Sequence, residues 1–330
     1  MSVACRVLLA ACVSLPATLP ASAEPSPQYV IISFDGAHDL AQWRRSRALG
    51  AKTGARFTYF LSCVFLLSQE TRGKYEAPGQ SAGKSNVGFA QSKAEVAERL
   101  GEINRATAEG HEIASHGCGH FDGKDWSKAD WLEEFDAFST ILRDAYSING
   151  IAPEPEGWRA FAENSISGFR APYLSTGDGL YPALSAAAFA YDASAVSRGP
   201  ILPEPENGIA RFALPQIPEG PQARRIIAMD YNLFVRHSDG EERPEEAEAF
   251  QARSYEAFRA AFNAQYSGKR IPLQLGFHFT LMNDGAYWKA LEAFARQVCM
   301  KAEVVCTSYA DYLQRIDSDA APPSTGSVGG

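Results

Sequence analysis

Four short apolar runs in this chain each end on a residue that chemistry can use, and between them lie segments of helical spacing. Tyr29–Phe34 runs into Asp35, and His111–Ala114 leads into Ser115-His116-Gly117-Cys118-Gly119-His120. Ile166–Phe169 ends at Arg170, followed by Ala171-Pro172-Tyr173, and Pro272–Phe277 ends at His278. Short continuous apolar runs alternating with helix-like segments describe buried parallel strands in an α/β architecture. Polar tips on such strands fit a barrel-like fold, in which functional groups gather at the strands' C-terminal ends.

The strand candidates are 29–34, 57–61, 111–114, 166–170, 189–191, 225–229, 272–277 and 304–306. Helical spacing covers 40–52, 94–108, 126–146, 179–188, 245–265, 287–297 and 309–315. The long helix at 126–146 begins near Ser127 and Asp130, both suited to a cap. The Pro-rich stretch 199–221 reads as loop, and a Gly/Ser/Lys-rich loop at 71–88 is placed to border a cleft. No repeat is visible. The reading is one barrel-like domain over residues 24–316, with a frayed tail at 317–330.

The net charge of −8 at pH 7 argues against a nucleic-acid partner. At the N-terminus a single charge, Arg6, precedes the apolar run Val7–Leu19 and a small-x-small site at Ala21-Ser22-Ala23. That pattern predicts an export signal at 1–23, too short to be a transmembrane segment, and a periplasmic or secreted protein. Removing it leaves Cys63, Cys118, Cys299 and Cys306. The pairs 63–118, at neighbouring strand ends, and 299–306, around a turn, suit an exported chain; free buried thiols are the alternative.

Histidines four apart, as His116 and His120 are, can turn both imidazoles to one metal ion. By itself such a pair is often plain polar surface. An acid at a buried strand tip, as at Asp35, needs a cation or a metal beside it. Four chemistry-bearing tips in chain order are hard to explain by packing.

These residues resemble the polysaccharide deacetylases of the NodB-homology type, carbohydrate esterase family four, over about residues 29–315. Ser33-Phe34-Asp35-Gly36 is similar to the family's Thr-Phe-Asp-Asp-Gly. His116 to His120 matches its His-x-x-x-His, Arg170 to Tyr173 its Arg-x-Pro-Tyr, and Leu275-Gly276-Phe277-His278 its closing Leu-x-His. Gly168–Leu174, Tyr191–Ser194 and Phe277–Thr280 look most like the chitin-deacetylase branch.

The resemblance implies a distorted (β/α) barrel, a divalent metal (usually Zn2+) and removal of N-acetyl groups from a GlcNAc-containing polysaccharide. It implies His116 and His120 as ligands and Asp35 as the base that activates the metal's water. Arg170 would orient Asp35, the Tyr173 backbone N–H would bind the oxyanion, and His278 would protonate the departing amine. The chain departs from the pattern at Gly36, where the family carries its third ligand, an aspartate. Asp39, His38 or Asp230 could replace it. Asp39 is favoured because its loop begins at the motif, although an N-cap for the next helix is its ordinary role. Asp192 could tune an active-site group or make a structural hydrogen bond. A glycan-binding relative without catalysis, its metal site impaired at Gly36, is the alternative function, and a metal-free hydrolase of amides or cyclic amides is a third. Trp131 and Trp288 read as core, His111 as structural and His237 as exposed.

Overall fold

The structure, a computed structural model, describes Met1 and residues 26–320. The segment read as an export signal lies outside the described residues. Among the described residues ten strands form one sheet: β1 (Gln28–Gly36), β2 (Thr58–Leu61), β3 (Glu112–Ser115), β4 (Gly168–Phe169), β5 (Tyr191–Ser197), β6 (Glu204–Glu206), β7 (Ile209–Glu219), β8 (Arg224–Ile227), β9 (Leu273–His278) and β10 (Val304–Thr307). The helices are α1 (Leu40–Thr53), α2 (Lys93–Ala108), α3 (Lys128–Ile148), α4 (Trp158–Asn164), α5 (Leu180–Ala186), α6 (Asp230–Ser238), α7 (Ala247–Tyr266), α8 (Met282–Val298) and α9 (Tyr309–Ala320).

Strands β1 to β5 and then β7 pair in parallel, and β9 pairs with the other edge of β1. A parallel bridge between Met229 and Gly276, with Gly276 N–H donating to Ala228 O, joins the end of the β7–β8 hairpin to β9. The sheet thereby curls into a distorted barrel, as expected. Strand β10 pairs with the first half of β1, below β2.

Period-two alternation along β1 divides two environments. Val30, Ile32 and Phe34 face the core beneath the helices, while Tyr29 and Ile31 join Phe60, Ala114, Tyr191 and Phe212 inside the barrel. Tyr309 and Tyr312 of α9 belong to that inner cluster. Ser33 and Asp35 continue the inner row, so the barrel interior turns polar toward the C-terminal ends of the strands.

The structure corrects the reading in several places. Residues 209–219, taken as loop because of their prolines, form the eleven-residue β7. Pro215 and Pro218 are tolerated because neither sits within a ladder that needs its missing N–H: Pro215 ends the β5 pairing and Pro218 lies in the two-stranded hairpin. Helices α4 and α6 were not anticipated, each being shorter than ten residues. Helix α9 runs on to Ala320, past the proposed start of the tail at 317. His237 is buried, not exposed, with its Nε2 3.1 Å from Glu219 Oε1.

Other expectations hold. Ser127 and Asp130 form a reciprocal capping box on α3. Trp131 and Trp288 are buried, and His111 Nδ1 accepts the Phe57 N–H. Both disulfides form, 63–118 and 299–306, with Cα atoms 4.3 and 5.4 Å apart. No helix among the described residues is long and apolar enough to cross a membrane.

Candidate active site

Asp35 and His278 are in-register neighbours on adjacent parallel strands, so the fold sets them side by side at the barrel mouth. The Asp35 carboxylate accepts from Arg170 Nη1 at 2.7 Å, and both side chains are buried. Arg170 also donates to Ser33 Oγ at 2.8 Å, Ala193 O at 3.0 Å and Tyr309 OH at 2.9 Å. Its guanidinium lies 4.3 Å from the Phe60 ring centroid. Burial alone would push the Asp35 pKa up. The charge of Arg170, helped by that of His278, outweighs burial and holds it below the ordinary value. Asp35 is therefore an ionised carboxylate at neutral pH.

His278 is fixed by Asp230 at the start of α6. Asp230 Oδ1 accepts from His278 Nδ1 at 2.7 Å, and Oδ2 accepts the His278 backbone N–H at 2.8 Å. Burial works against the charged ring, but the adjacent Asp230 carboxylate wins and raises the His278 pKa above its usual value. Asp230 is thus a partner of His278, not a further ligand at the histidine pair.

His116 and His120 lie on the loop after β3, their ring centroids 5.0 Å apart. Several contacts pin this loop. Cys118 is disulfide-bonded to Cys63 and donates its N–H to Glu134 Oε1 at 2.6 Å. Tyr75 OH donates to Glu134 Oε2 at 2.8 Å and accepts the Gly119 N–H at 3.0 Å. A side chain at Gly119 would come within 2.7 Å of the Tyr75 and Phe121 rings, so glycine is required there. From the 71–88 loop, Asn86 donates its backbone N–H to Gly119 O and its side-chain amide to His120 O. His120 has a left-handed backbone, φ +55°.

The donor chemistry of this pair can be tested for a cation. His116 Nδ1 faces Arg170 O at 2.7 Å, and a carbonyl only accepts, so Nδ1 carries the proton and Nε2 keeps its lone pair. An imidazole oriented by a carbonyl is the usual arrangement of a metal-binding histidine. His120 Nδ1 is buried without a hydrogen-bond partner. Burial takes the His116 pKa down to about 3 and lowers that of His120, so both rings are neutral. Two such imidazoles fit a divalent cation.

The third ligand is where expectation and structure part. Asp39 caps α1, accepting the Gln42 N–H at 2.8 Å, and it does not line the cavity. Among the described residues, no group of three or more His, Cys, Asp or Glu side chains is arranged to hold a metal ion. Gly36 has φ +82°, where an aspartate would be strained although its Cβ would meet nothing closer than 4.0 Å. Asp192 lies behind the site, accepting from Ser194 Oγ.

Asp35, His116, His120 and His278 open together into one cavity of about 600 Å3. Gly36 and His38 line it beside Asp35, and Tyr173 and Leu174 form part of its wall. Tyr173 stands exposed with its ring 4.6 Å from that of His120, and both Tyr173 and Leu174 have left-handed backbones. Val87 places the 71–88 loop at the rim, as expected. Sequence reasoning missed Ser33, Tyr309, Glu134 and Ser194. Ser33 could have been found, two residues before Asp35 on the same strand face. The others approach from distant parts of the chain and leave no local signal.

The α/β barrel thus brings a clamped carboxylate, an acid-backed histidine and a histidine pair to one mouth. No protein-family model and no curated protein sequence matches the chain. Solved structures do. A candidate polysaccharide deacetylase from Mycobacterium smegmatis superposes with TM-score 0.56 at 15% identity, covering 94% of this chain and 97% of that one. A second candidate polysaccharide deacetylase, from Pseudomonas aeruginosa PAO1, gives 0.52 at 15%, covering 88% and 91%. The Puue allantoinase gives 0.53 at 15%, covering 92% and 99%. At such identity the likeness establishes the fold: the distorted barrel of polysaccharide deacetylases and of an allantoinase.

Proposed function

We propose that this chain is an exported, metal-dependent deacetylase that hydrolyses the N-acetyl groups of a GlcNAc-containing polysaccharide. The observation that carries the reading is the meeting within one cavity of an ionised carboxylate, Asp35, and a histidine whose pKa is raised, His278, beside two neutral imidazoles. Carboxylate base and imidazolium acid are what amide hydrolysis asks for: one takes a proton from the attacking water, the other gives one to the departing amine.

His116 and His120 would hold the cation, zinc in the first instance. When bound, it would polarise the amide carbonyl and lower the pKa of water. Arg170 keeps Asp35 ionised and aimed, Asp230 favours the protonated form of His278, and the Tyr173 backbone would bind the oxyanion. The carbohydrate substrate follows from the sequence resemblance together with the fold shared with polysaccharide deacetylases. The apolar leader pattern at 1–23 and the two disulfides support export.

A second reading has a specific observation behind it. Because no three-ligand cluster is formed among the described residues, a glycan-binding protein without turnover would use the same cavity. Metal content of the purified mature chain, with acetate release from chitin oligomers and peptidoglycan, separates the two. About one zinc per chain and acetate release abolished by a chelator are expected. Glycan binding without stoichiometric metal or acetate release would overturn the deacetylase reading.

A further inference from the structure

The peptide group between Arg170 and Ala171 is held at both of its poles. Its carbonyl accepts from His116 Nδ1 at 2.7 Å, and its N–H donates to Ser194 Oγ at 2.8 Å. The Ser194 hydroxyl in turn donates to Asp192 Oδ1. Every member is buried: His116 is 2% exposed, Arg170 and Asp192 0%, and Ser194 1%. All three hydrogen bonds point the same way, from the imidazole through one amide plane and one hydroxyl to a carboxylate.

The strand is shaped for this task. Asp192 and Ser194 are two residues apart on β5 and so share a face. The β5–β7 register slips between Asp192 and Ala195, a bulge that takes Ala193 and Ser194 out of the regular pairing. Ala193 O is thereby used by Arg170 Nε at 3.0 Å, beside the Ser194 contact. Tyr181 OH lies 3.5 Å from Asp192 Oδ2 and accepts from Arg211 Nη2 at 2.8 Å, which anchors the far end. Burial moves the Asp192 pKa up to about 6, which leaves the carboxylate ionised above neutral pH.

We propose that Asp192 and Ser194 are positioning residues for His116: through the Arg170–Ala171 peptide they fix the ring with Nε2 as its donor nitrogen and strengthen that nitrogen toward a divalent cation. Hydrogen bonds in a row polarise one another, so a carboxylate at the end of the row makes the Arg170 carbonyl a better acceptor. A better acceptor for Nδ1–H leaves more electron density at Nε2. Many metal-binding histidines meet a carboxylate directly; here the same effect passes through a peptide and a serine. The inference rests on reading His116 as a ligand, and one arm of its test does not.

The test uses the mature chain with isotope-labelled histidine, measured above neutral pH. It follows the His116 Nδ1–H resonance, assigned by its loss in His116→Gln, and zinc affinity by competition with a chelating dye. Ser194→Ala should move the resonance upfield or lose it to solvent exchange and weaken zinc binding about tenfold. Ser194→Thr, which restores a hydroxyl, should recover both. An unmoved resonance with zinc affinity within about twofold of the wild type would overturn the proposal, since a merely structural serine would lower only the melting temperature. If Ser194→Ala does not fold, Asp192→Asn decides, because it keeps the shape and removes the charge. A smaller upfield shift with weaker zinc binding supports the relay, and unchanged values refute it. If the wild type binds no zinc, the metal reading fails and the resonance alone judges the relay.

Discussion

Replacing Arg170 by methionine would remove the cation from a fully buried ion pair and leave the Asp35 carboxylate without its partner. Four acceptors would lose their donor at once: Asp35 Oδ1, Ser33 Oγ, Ala193 O and Tyr309 OH. Breaking a buried pair by removing one partner costs about 3–5 kcal/mol. For a chain of this size that is a fall in melting temperature of about 5–8 °C.

The sign of its pH dependence follows from the same contacts. In the wild type the Asp35 pKa is depressed, so the pair's contribution is present above the ordinary carboxylate pKa and lost as pH falls through the depressed one. In Arg170→Met the largest charge opposing burial is gone, and that pKa rises. The variant's deficit relative to wild type should therefore shrink as pH drops through the raised value. Asp35→Asn added to Arg170→Met should recover at least about 1 kcal/mol, because the stranded charge is gone. Chemical denaturation across the acid range measures all of this. A loss below about 1 kcal/mol, or a deficit independent of pH and untouched by Asp35→Asn, would refute the reasoning.

Three shorter predictions follow from other contacts. Asp230→Asn should shift the alkaline limb of the kcat profile toward acid, since Asp230 is what raises the His278 pKa; an unmoved limb would remove His278 as the acid. Asp39→Ala should cost about 1 kcal/mol as a lost cap while leaving zinc content unchanged, and a fall in zinc would restore Asp39 as a ligand. Replacing Cys63 and Cys118 by serine opens a loop whose ends are 55 residues apart, which by chain entropy costs about 4 kcal/mol. Equilibrium unfolding under identical conditions gives that difference directly.

Much of the site could be read before folding because its groups sit at the ends of strands, and strands are marked locally by apolar runs. Asp35, His116, Arg170 and His278 each follow such a run, and a parallel barrel brings all those ends to one mouth. The disulfide between Cys63 and Cys118 was legible for the same reason, since β2 and β3 are neighbours. Strand β7 was not, because its prolines carry a loop signal that only its place in the sheet overrides.

The roles of the acids were decided by tertiary structure. Asp39, Asp192 and Asp230 look alike as sequence candidates for a place at the site, and the fold gives each a different partner: the α1 N-terminus, the Ser194 hydroxyl and the His278 ring. The reason is distance along the chain. Arg170 reaches Asp35 across 135 residues and Asp230 reaches His278 across 48, and no local pattern records such meetings. What the sequence determined by itself was which chemical groups stand at the barrel mouth. Which of them hold protons, which hold each other, and which are left facing the cavity depended on burial and on neighbours that only the closed barrel supplies.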